Sequence, residues 1–144
     1  MIAHAGLIAR RIGGRWRGVL IEGASGAGKS DLALRALDLG FRLVADDRVI
    51  LWTCQDRLFG RAPGPLSGLI EVRGVDVLAE PVLALCEVAL VVTPGAPARL
   101  PEPEMTDRLG LRLPQCVLAY DEASAPAKLG RALSALYLSN QRRM

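Results

Sequence analysis

Residues 23–30 combine glycines, a lysine and a hydroxyl side chain at a spacing that suits the binding of phosphate groups. They fit the pattern G-x-x-x-x-G-K-[ST], and in order they are Gly23, Ala24, Ser25, Gly26, Ala27, Gly28, Lys29 and Ser30. Glycines allow backbone N–H groups to surround an anion, the lysine can reach the β- and γ-phosphates, and the serine hydroxyl can bind Mg²⁺. The motif, called the phosphate loop below, therefore predicts a site for a nucleoside triphosphate.

The residues on either side of the phosphate loop have the pattern that this motif requires. The apolar run 19–21 predicts a strand before the loop. Residues 31–39 carry apolar side chains at helical spacing, and Gly40 follows them, which predicts a helix that stops there. A helix that begins at the loop directs free N–H groups toward a bound anion. This setting disfavours the alternative of a glycine-rich turn with a surface lysine.

Asp46 and Asp47 form a second feature with chemical potential. Residues 41–45 predict a strand that leads directly into the pair, and α/β sheets bind ligands at the carboxyl ends of their strands. If the strand continued, the two carboxylates would point to opposite sides, one toward a metal ion and one toward an incoming hydroxyl. The alternative is a turn in which both acids pair with arginines. The upstream phosphate loop favours the catalytic interpretation, because phosphoryl transfer uses an acid near Mg²⁺ and a proton acceptor.

Composition and charge limit the class of protein. The 144 residues are 51% hydrophobic and 23% charged, which is typical of one globular domain. A net charge of +3 with scattered arginines does not indicate a nucleic-acid partner, and none is expected. The longest apolar stretch, residues 82–92, contains Glu87 and is too short to cross a bilayer. Cys54, Cys86 and Cys116 lack paired spacing, which favours reduced, buried thiols and a cytoplasmic location.

The rest of the chain predicts further strands and one more helix. Predicted strands lie at 2–10 and 15–21, joined by a turn at Gly13 and Gly14, and at 48–52, 69–75, 82–93 and 115–120. Residues 60–68 and 94–103 are rich in proline or glycine and predict irregular loops, residues 107–110 predict a charged turn, and residues 127–139 predict a helix. The fold class predicted is α/β.

The order of three motifs resembles the HPr kinase/phosphorylase family of bacterial enzymes. The phosphate loop is followed by residues 43–49, which read LVADDRV, and by residues 71–74, which read EVRG. Enzymes of this family phosphorylate a serine of the phosphocarrier protein HPr and remove the phosphate again. The resemblance covers nearly the whole chain and implies that residues 1–144 form the catalytic domain. The implied fold is a P-loop-containing mixed sheet similar to the nucleotide-binding core of phosphoenolpyruvate carboxykinase.

The resemblance also implies how nucleotide and metal are bound. Residues 23–30 would hold the phosphates of ATP, with Lys29 on the transferred group. Ser30, Asp46 and Glu71 would bind Mg²⁺.

The resemblance also implies catalytic roles for three further residues of this chain. Asp47 would be the base that accepts the serine proton, and Arg108 would stabilise charge on the phosphoryl group. His4, the only histidine, would move a proton or help to activate inorganic phosphate. Considered without the resemblance, a lone histidine near a terminus is more often structural or exposed.

The implied function is Mg²⁺-dependent transfer of the ATP γ-phosphoryl group to a serine of an HPr-type phosphocarrier protein, in regulation of the bacterial phosphotransferase system and carbon metabolism. Removal of the phosphate by phosphorolysis and assembly into a homo-oligomer are also implied. Two alternatives stay open: a P-loop kinase that acts on a small molecule, and a nucleotide-sensing regulatory module. A sensor has no need of a base, so the presence of Asp47 beside Asp46 argues against the second.

Overall fold

The computed structural model describes residues 1–138, which form one curled sheet, a separate hairpin and two α-helices. The strands are β1 (Ile2–Ala3), β2 (Ala5–Ile12), β3 (Arg15–Glu22), β4 (Arg42–Ala45), β5 (Val49–Cys54), β6 (Arg57–Arg61), β7 (Leu69–Val72), β8 (Asp76–Ala79), β9 (Cys86–Pro94), β10 (Glu104–Arg108) and β11 (Leu111–Leu118). The helices are α1 (Lys29–Leu37) and α2 (Ala125–Ala135), and a short 3₁₀-helix spans Gly64–Leu66. The last residue of the predicted second helix, Ser139, lies outside the described residues.

The main sheet mixes parallel and antiparallel strands. Its order is β1-β5-β6-β9-β3-β2-β4, and β11 pairs with β9 while β10 pairs with β11. β9 is parallel to β3 and to β11, and the other pairs are antiparallel. One edge of β9 pairs with β6 at its start and with β11 at its end, so the sheet branches there and curls. This arrangement confirms the prediction of a mixed α/β fold.

Two apolar cores lie on opposite faces of the sheet, because neighbouring strand residues point to opposite sides. On one face, Ile8 and Ile21 pack with Leu32 of α1 and with residues of α2. On the other face, Leu7 and Leu20 pack with residues of β5 and β6. All five side chains are fully buried. The strand and the helix that flank the phosphate loop are therefore anchored on a rigid core.

The predicted loop at 60–68 is wrong for its first two residues, which belong to β6. A side chain at Gly60 would place its Cβ only 2.7 Å from Leu7 and 2.9 Å from Val49. The glycine is therefore needed for close packing inside a strand, and not for a turn. The pattern of glycines and prolines alone does not separate these two uses.

Other boundaries also differ from the prediction. The charged turn at 107–110 is wrong at Asp107 and Arg108, which complete β10, so only Leu109 and Gly110 form the turn. The strand predicted at 69–75 ends at Val72, because the chain turns back into β8. Helix α1 begins at Lys29 and not at residue 31, since Gly28 takes the N-cap position. Within residues 1–138, no helix is long and apolar enough to span a membrane.

Candidate active site

The phosphate loop connects β3 to α1 through glycines in backbone conformations that other residues rarely adopt. Gly23, Gly26 and Gly28 have φ values of 149°, 85° and 96°. A Cβ at Gly26 would meet no atom within 4 Å, so this part of the loop borders open space. Helix α1 has no side-chain cap at Gly28, and the N–H groups of its first turn are thus available to an anion.

Lys29 lies against the loop that precedes it. Its side chain is buried, and its Nζ atom donates hydrogen bonds to the carbonyl oxygens of Gly23 at 2.7 Å and Ala24 at 3.1 Å. These bonds hold a positive charge at the mouth of the loop. A buried ammonium group beside free N–H groups is an arrangement that favours negatively charged ligands.

A cleft of about 460 Å³ opens over the phosphate loop and brings most of the predicted site residues together. It lies between the first turns of α1, the segment after β4 and the hairpin of β7 and β8. The lining residues are Ser25, Gly26, Gly28, Lys29, Ser30, Asp31, Leu34, Asp47, Glu71 and Arg73. Two predicted site residues, Asp47 and Glu71, therefore share one cavity with the phosphate loop.

The two aspartates after β4 do not continue the strand as predicted, because β4 ends at Ala45. Asp46 is half-buried and accepts two hydrogen bonds, from Ser30 Oγ to Oδ1 at 2.6 Å and from the backbone N–H of Glu71 to Oδ2 at 3.0 Å. Asp46 therefore connects α1 with β7. Neither of these bonds is to an arginine, in contrast to the structural alternative considered from the sequence.

Asp47 sits at the centre of a tight backbone turn. Its φ is 66°, and the Arg48 N–H donates to the Asp46 carbonyl oxygen at 2.7 Å, which closes a three-residue γ-turn. A non-glycine residue at positive φ stores backbone strain, and such strain is concentrated at functional positions. The turn exposes the Asp47 side chain and directs it toward the cleft that it lines.

His4 lies at the same edge of the sheet but does not line the cleft. It separates β1 from β2, where Ala3 pairs with Val49 and Ala5 pairs with Glu22. Both neighbours of His4 in the sequence therefore pair with strands next to the candidate site: β3, which precedes the phosphate loop, and β5, which follows the two aspartates. Its side chain is exposed.

Arg108 also lies outside the cleft, at the end of β10. Its guanidinium group binds both carboxylate oxygens of Glu22, with Nε 2.9 Å from Oε2, and Nη1 donates to Thr106 Oγ1 at 2.6 Å. The hydrogen bond to Glu22 raises the pKa of Arg108 above its ordinary value. Since Glu22 immediately precedes Gly23, this ion pair fixes the strand end from which the phosphate loop departs.

Sequence reasoning missed Glu22 and Tyr120, whose contacts hold the end of β3 where the phosphate loop begins. Tyr120 is buried after β11, and its hydroxyl lies 2.6 Å from the carbonyl oxygen of Glu22 and 2.9 Å from that of Val92. Burial raises the pKa of Tyr120, so the phenol stays protonated and able to donate. The tyrosine thus links three parallel strands at their carboxyl ends, and nothing in the local sequence indicates these distant partners.

Arg35 is a third residue that the sequence reasoning did not single out. It forms an ion pair with Asp31 one turn earlier at 2.9 Å and donates to the carbonyl oxygens of Glu122, at 2.9 Å, and Tyr120. Helix α1 is therefore tied to the segment between β11 and α2. The i, i+4 spacing of an acid and a base in the helix was the one available signal.

Oxygen donors suitable for a divalent cation meet around Ser30. The Ser30 hydroxyl and the Asp46 carboxylate are in contact, and the Glu71 side chain lines the same cleft. Mg²⁺ takes one or two protein carboxylates and completes its octahedron with phosphate oxygens and water. Within residues 1–138 no three His, Cys, Asp or Glu side chains gather as a metal site by themselves.

The family model of the HPr Serine kinase C-terminal domain matches residues 12–82 of this chain. The matched range includes the phosphate loop, both aspartates and Glu71. Over these residues the chain is similar to the HPr kinase C-terminal domain. This relationship agrees with the resemblance inferred from the motifs.

Curated relatives of this HPr kinase-like chain share its sequence over part of their length. The HPr kinase/phosphorylase of Clostridium tetani is 40% identical over 98 residues, which cover 65% of this chain and 32% of that protein. The HPr kinase/phosphorylase of Clostridium acetobutylicum is 46% identical over 66 residues, which cover 46% of this chain and 22% of that protein. The chain therefore spans about a third or less of the curated relatives that it matches.

The fold of this chain matches a solved structure over almost the full length of both chains. The Hpr(Ser) kinase/phosphatase from Coxiella burnetii superposes with a TM-score of 0.80 at 25% sequence identity. The superposition covers 98% of this chain and 99% of the Coxiella chain. The mixed α/β fold with its curled sheet is thus similar to that of an HPr kinase.

Proposed function

We propose that this chain is the catalytic domain of a Mg²⁺-dependent protein serine kinase that transfers the γ-phosphoryl group of ATP to an HPr-type phosphocarrier protein. The observation that carries this proposal is the cleft in which Lys29, Ser30, Asp47 and Glu71 meet. The family match and the similar Coxiella fold support the choice of a kinase.

The phosphate loop is proposed to hold the phosphates of ATP. The glycine conformations, the free N–H groups of α1 and the buried Lys29 ammonium all favour an anion. In the structure Lys29 is bound to two loop carbonyls, so its ammonium group is already close to where phosphates would lie. On this proposal the fold is a P-loop sheet related to the nucleotide-binding core of phosphoenolpyruvate carboxykinase.

Magnesium is proposed to be held by Ser30, Asp46 and Glu71 together with phosphate oxygens. The donor set fits the ion, because it offers a hydroxyl and two carboxylates within reach of one cleft. A bound Mg²⁺ supplies neutralisation of the charge on the nucleotide phosphates.

Asp47 is proposed as the general base. It would accept the serine proton while the serine oxygen bonds to the γ-phosphorus and the bond from phosphorus to the β–γ bridging oxygen breaks, which releases ADP. The γ-turn supports this role, because it presents an exposed carboxylate to the cleft on a fixed backbone. The same group would return the proton if inorganic phosphate removed the phosphoryl group.

Arg108 and His4 are proposed to assist from the edge of the site. Arg108 would stabilise the charge on the phosphoryl group, for which it would first have to leave part of its bonding to Glu22. His4 would move a proton in phosphorolysis, and its exposed position next to the strand that precedes the phosphate loop is compatible with this role.

The same proposal extends to the cellular location, the assembly and the regulatory role of the protein. Residues 1–144 would act as a catalytic domain in the cytoplasm, assembled as a homo-oligomer. Its substrate would connect it to regulation of the bacterial phosphotransferase system and carbon metabolism. No partner among nucleic acids or membranes is proposed.

Intact-mass measurement tests the proposed function directly. The protein is incubated with Mg-ATP and a purified HPr-type phosphocarrier, and a gain of one phosphate on a serine is expected. Lys29→Ala, verified as folded by its melting temperature, should give no gain. Absence of transfer by the wild type despite bound nucleotide would contradict the kinase and favour a nucleotide sensor, and phosphorylation of a metabolite instead would identify a small-molecule kinase. Addition of inorganic phosphate then shows whether the reverse reaction occurs.

A further inference from the structure

The hairpin of β7 and β8 is attached to the rest of the fold at few points. Within residues 1–138, its two strands pair with each other and with no strand of the main sheet. Every residue of β8 is exposed, whereas Ile70 of β7 is fully buried in the core beside α1. The base of the hairpin is closed by a hydrogen bond from the Glu80 N–H to the Gly68 carbonyl oxygen at 2.9 Å. Elements with so few buried contacts open locally at low free energy.

Asp46 supplies an attachment in the middle of the hairpin. The backbone N–H of Glu71 donates to Asp46 Oδ2 at 3.0 Å, and the Ser30 hydroxyl donates to Oδ1 of the same carboxylate at 2.6 Å. A hydrogen bond to an ionised acceptor is about twice as strong as one between neutral groups. One side chain therefore joins the first turn of α1 to the centre of β7.

This attachment positions the hairpin residues that line the cleft over the phosphate loop. Glu71 and Arg73 line the cleft, and both belong to the hairpin or to the turn that follows β7. If the Glu71 backbone moves away from Asp46, the carboxylate of Glu71 and the guanidinium group of Arg73 move with it. The position of two cleft residues thus depends on a third residue that is not among those lining the cavity.

We propose that Asp46 is a positioning residue, a latch that holds the hairpin over the phosphate loop and couples the hairpin to whatever binds Ser30. A ligand that engages the Ser30 hydroxyl changes the hydrogen bonding of the carboxylate that holds Glu71, and by linkage the hairpin changes the affinity for that ligand. The coupling to nucleotide rests on the proposed function, whereas the attachment of the hairpin does not. This role is additional to metal binding, because it uses the oxygen that faces Glu71.

Amide hydrogen exchange of the protein without nucleotide tests the latch separately from activity. In Asp46→Ala the Glu71 N–H loses its acceptor, so exchange at Glu71 and its hairpin neighbours should rise about tenfold or more. In Asp46→Asn one carbonyl oxygen can still accept from the Glu71 N–H, so exchange should stay near wild type. Ser30→Ala is the matched control, because it removes the partner of the other oxygen and leaves the Glu71 bond intact. Equal hairpin exchange in Asp46→Ala and wild type would overturn the proposal.

A second arm adds Mg²⁺ with a non-hydrolysable ATP analogue. The analogue should change hairpin exchange in the wild type and leave it unchanged in Ser30→Ala, measured at concentrations that saturate both proteins. If the analogue binds and the hairpin does not respond, the coupling is wrong. If the analogue fails to bind while Asp46→Ala still loosens the hairpin, the proposed function fails and the latch stands.

Discussion

Glu22 and Arg108 lie 86 positions apart in the sequence and form a two-pronged ion pair at the base of the phosphate loop. Both side chains are partly buried, and Glu22 is the last residue before Gly23. The pair therefore binds the last residue of β3 to the end of β10. It also occupies the guanidinium group that the proposed mechanism assigns to the phosphoryl group.

Arg108→Ala should lower the rate of phosphoryl transfer by about 100-fold, because loss of a donor to developing charge has an effect of this size. Glu22→Gln should have a much smaller effect, since the glutamine still offers an acceptor to the guanidinium group. Steady-state kinetics with HPr and Mg-ATP, together with melting temperatures, measure both. An equal loss in the two variants would show that Arg108 serves only to fix the end of β3.

Asp47→Asn should lower transfer by about 100- to 10,000-fold, the usual contribution of a general base, while nucleotide affinity stays close to wild type. Asparagine tolerates positive φ, so the γ-turn at this position is preserved and the variant tests the carboxylate alone. Serine phosphorylation by intact mass and nucleotide binding by calorimetry give the two readouts. Strong residual kinase activity would remove Asp47 from the mechanism.

Local sequence predicted the phosphate loop because every requirement of that motif lies within neighbouring residues. The glycine pair at positions 13 and 14 between two strand-like runs likewise predicted the hairpin of β2 and β3. The contacts of Asp46 were not predictable, since its partner Glu71 lies 25 positions away and the bond is to a backbone N–H group. A sequence pattern records side-chain types, and it does not record which main-chain group a carboxylate meets.

Glycine was the residue type that local reasoning interpreted least well. Gly60 was assigned to a loop, yet it belongs to β6, where side chains from two other strands fill the space of its missing Cβ. Gly28 lies in the segment between β3 and α1, where its φ of 96° favours glycine. Glycine is required both where distant strands pack closely and where a turn needs a positive φ, and the sequence alone does not distinguish these two requirements.

Gly18 offers a test of this distinction. A Cβ at this position would lie 2.5 Å from the carbonyl oxygen of Glu87 in the neighbouring strand β9, and backbone cannot move aside as a flexible side chain can. Gly18→Ala should therefore destabilise the fold by about 1–3 kcal/mol. Gly6→Ala is the control, because the nearest atoms to a Cβ at this strand position, in Ala45 and Ile21, lie 3.8 Å away at ordinary contact distance, and it should be neutral or stabilising. Chemical denaturation measures both, and similar free energies of unfolding for the two variants would contradict the packing argument.

Tyr120→Phe should lower the free energy of unfolding by about 1–2 kcal/mol, because the carbonyl oxygens of Glu22 and Val92 lose their buried partner without a change in shape. The strand ends that carry the phosphate loop also lose their common link. Nucleotide affinity should consequently fall in the same variant. Thermal unfolding and nucleotide titration test these effects, and an unchanged stability would show that the hydroxyl does not join the strands.

Cys86 gives the fold a specific sensitivity to alkaline pH. Burial, with a smaller effect from Glu87, raises the pKa of its thiol from 9.0 to about 12. The unfolded chain releases this proton near pH 9, whereas the folded chain keeps it, so between these values the unfolded state binds fewer protons. Stability is therefore fully present below about pH 9 and falls as the pH rises toward 12.

Cys86→Ala removes the titrating group and should flatten the decline of melting temperature between pH 8.5 and 11, a range chosen to bracket the onset of ionisation in the unfolded chain. The slope with pH is the quantity to compare, because loss of a buried side chain also lowers the melting temperature at every pH. Burial likewise raises the pKa of Cys116, to about 11, so Cys86→Ala with Cys116→Ala should flatten the profile further. Cys54 is exposed, and Cys54→Ala serves as the control for the loss of a thiol. Since desolvation of Cys86 causes the effect, a variant profile as steep as that of the wild type would mean that this thiol does not ionise on unfolding.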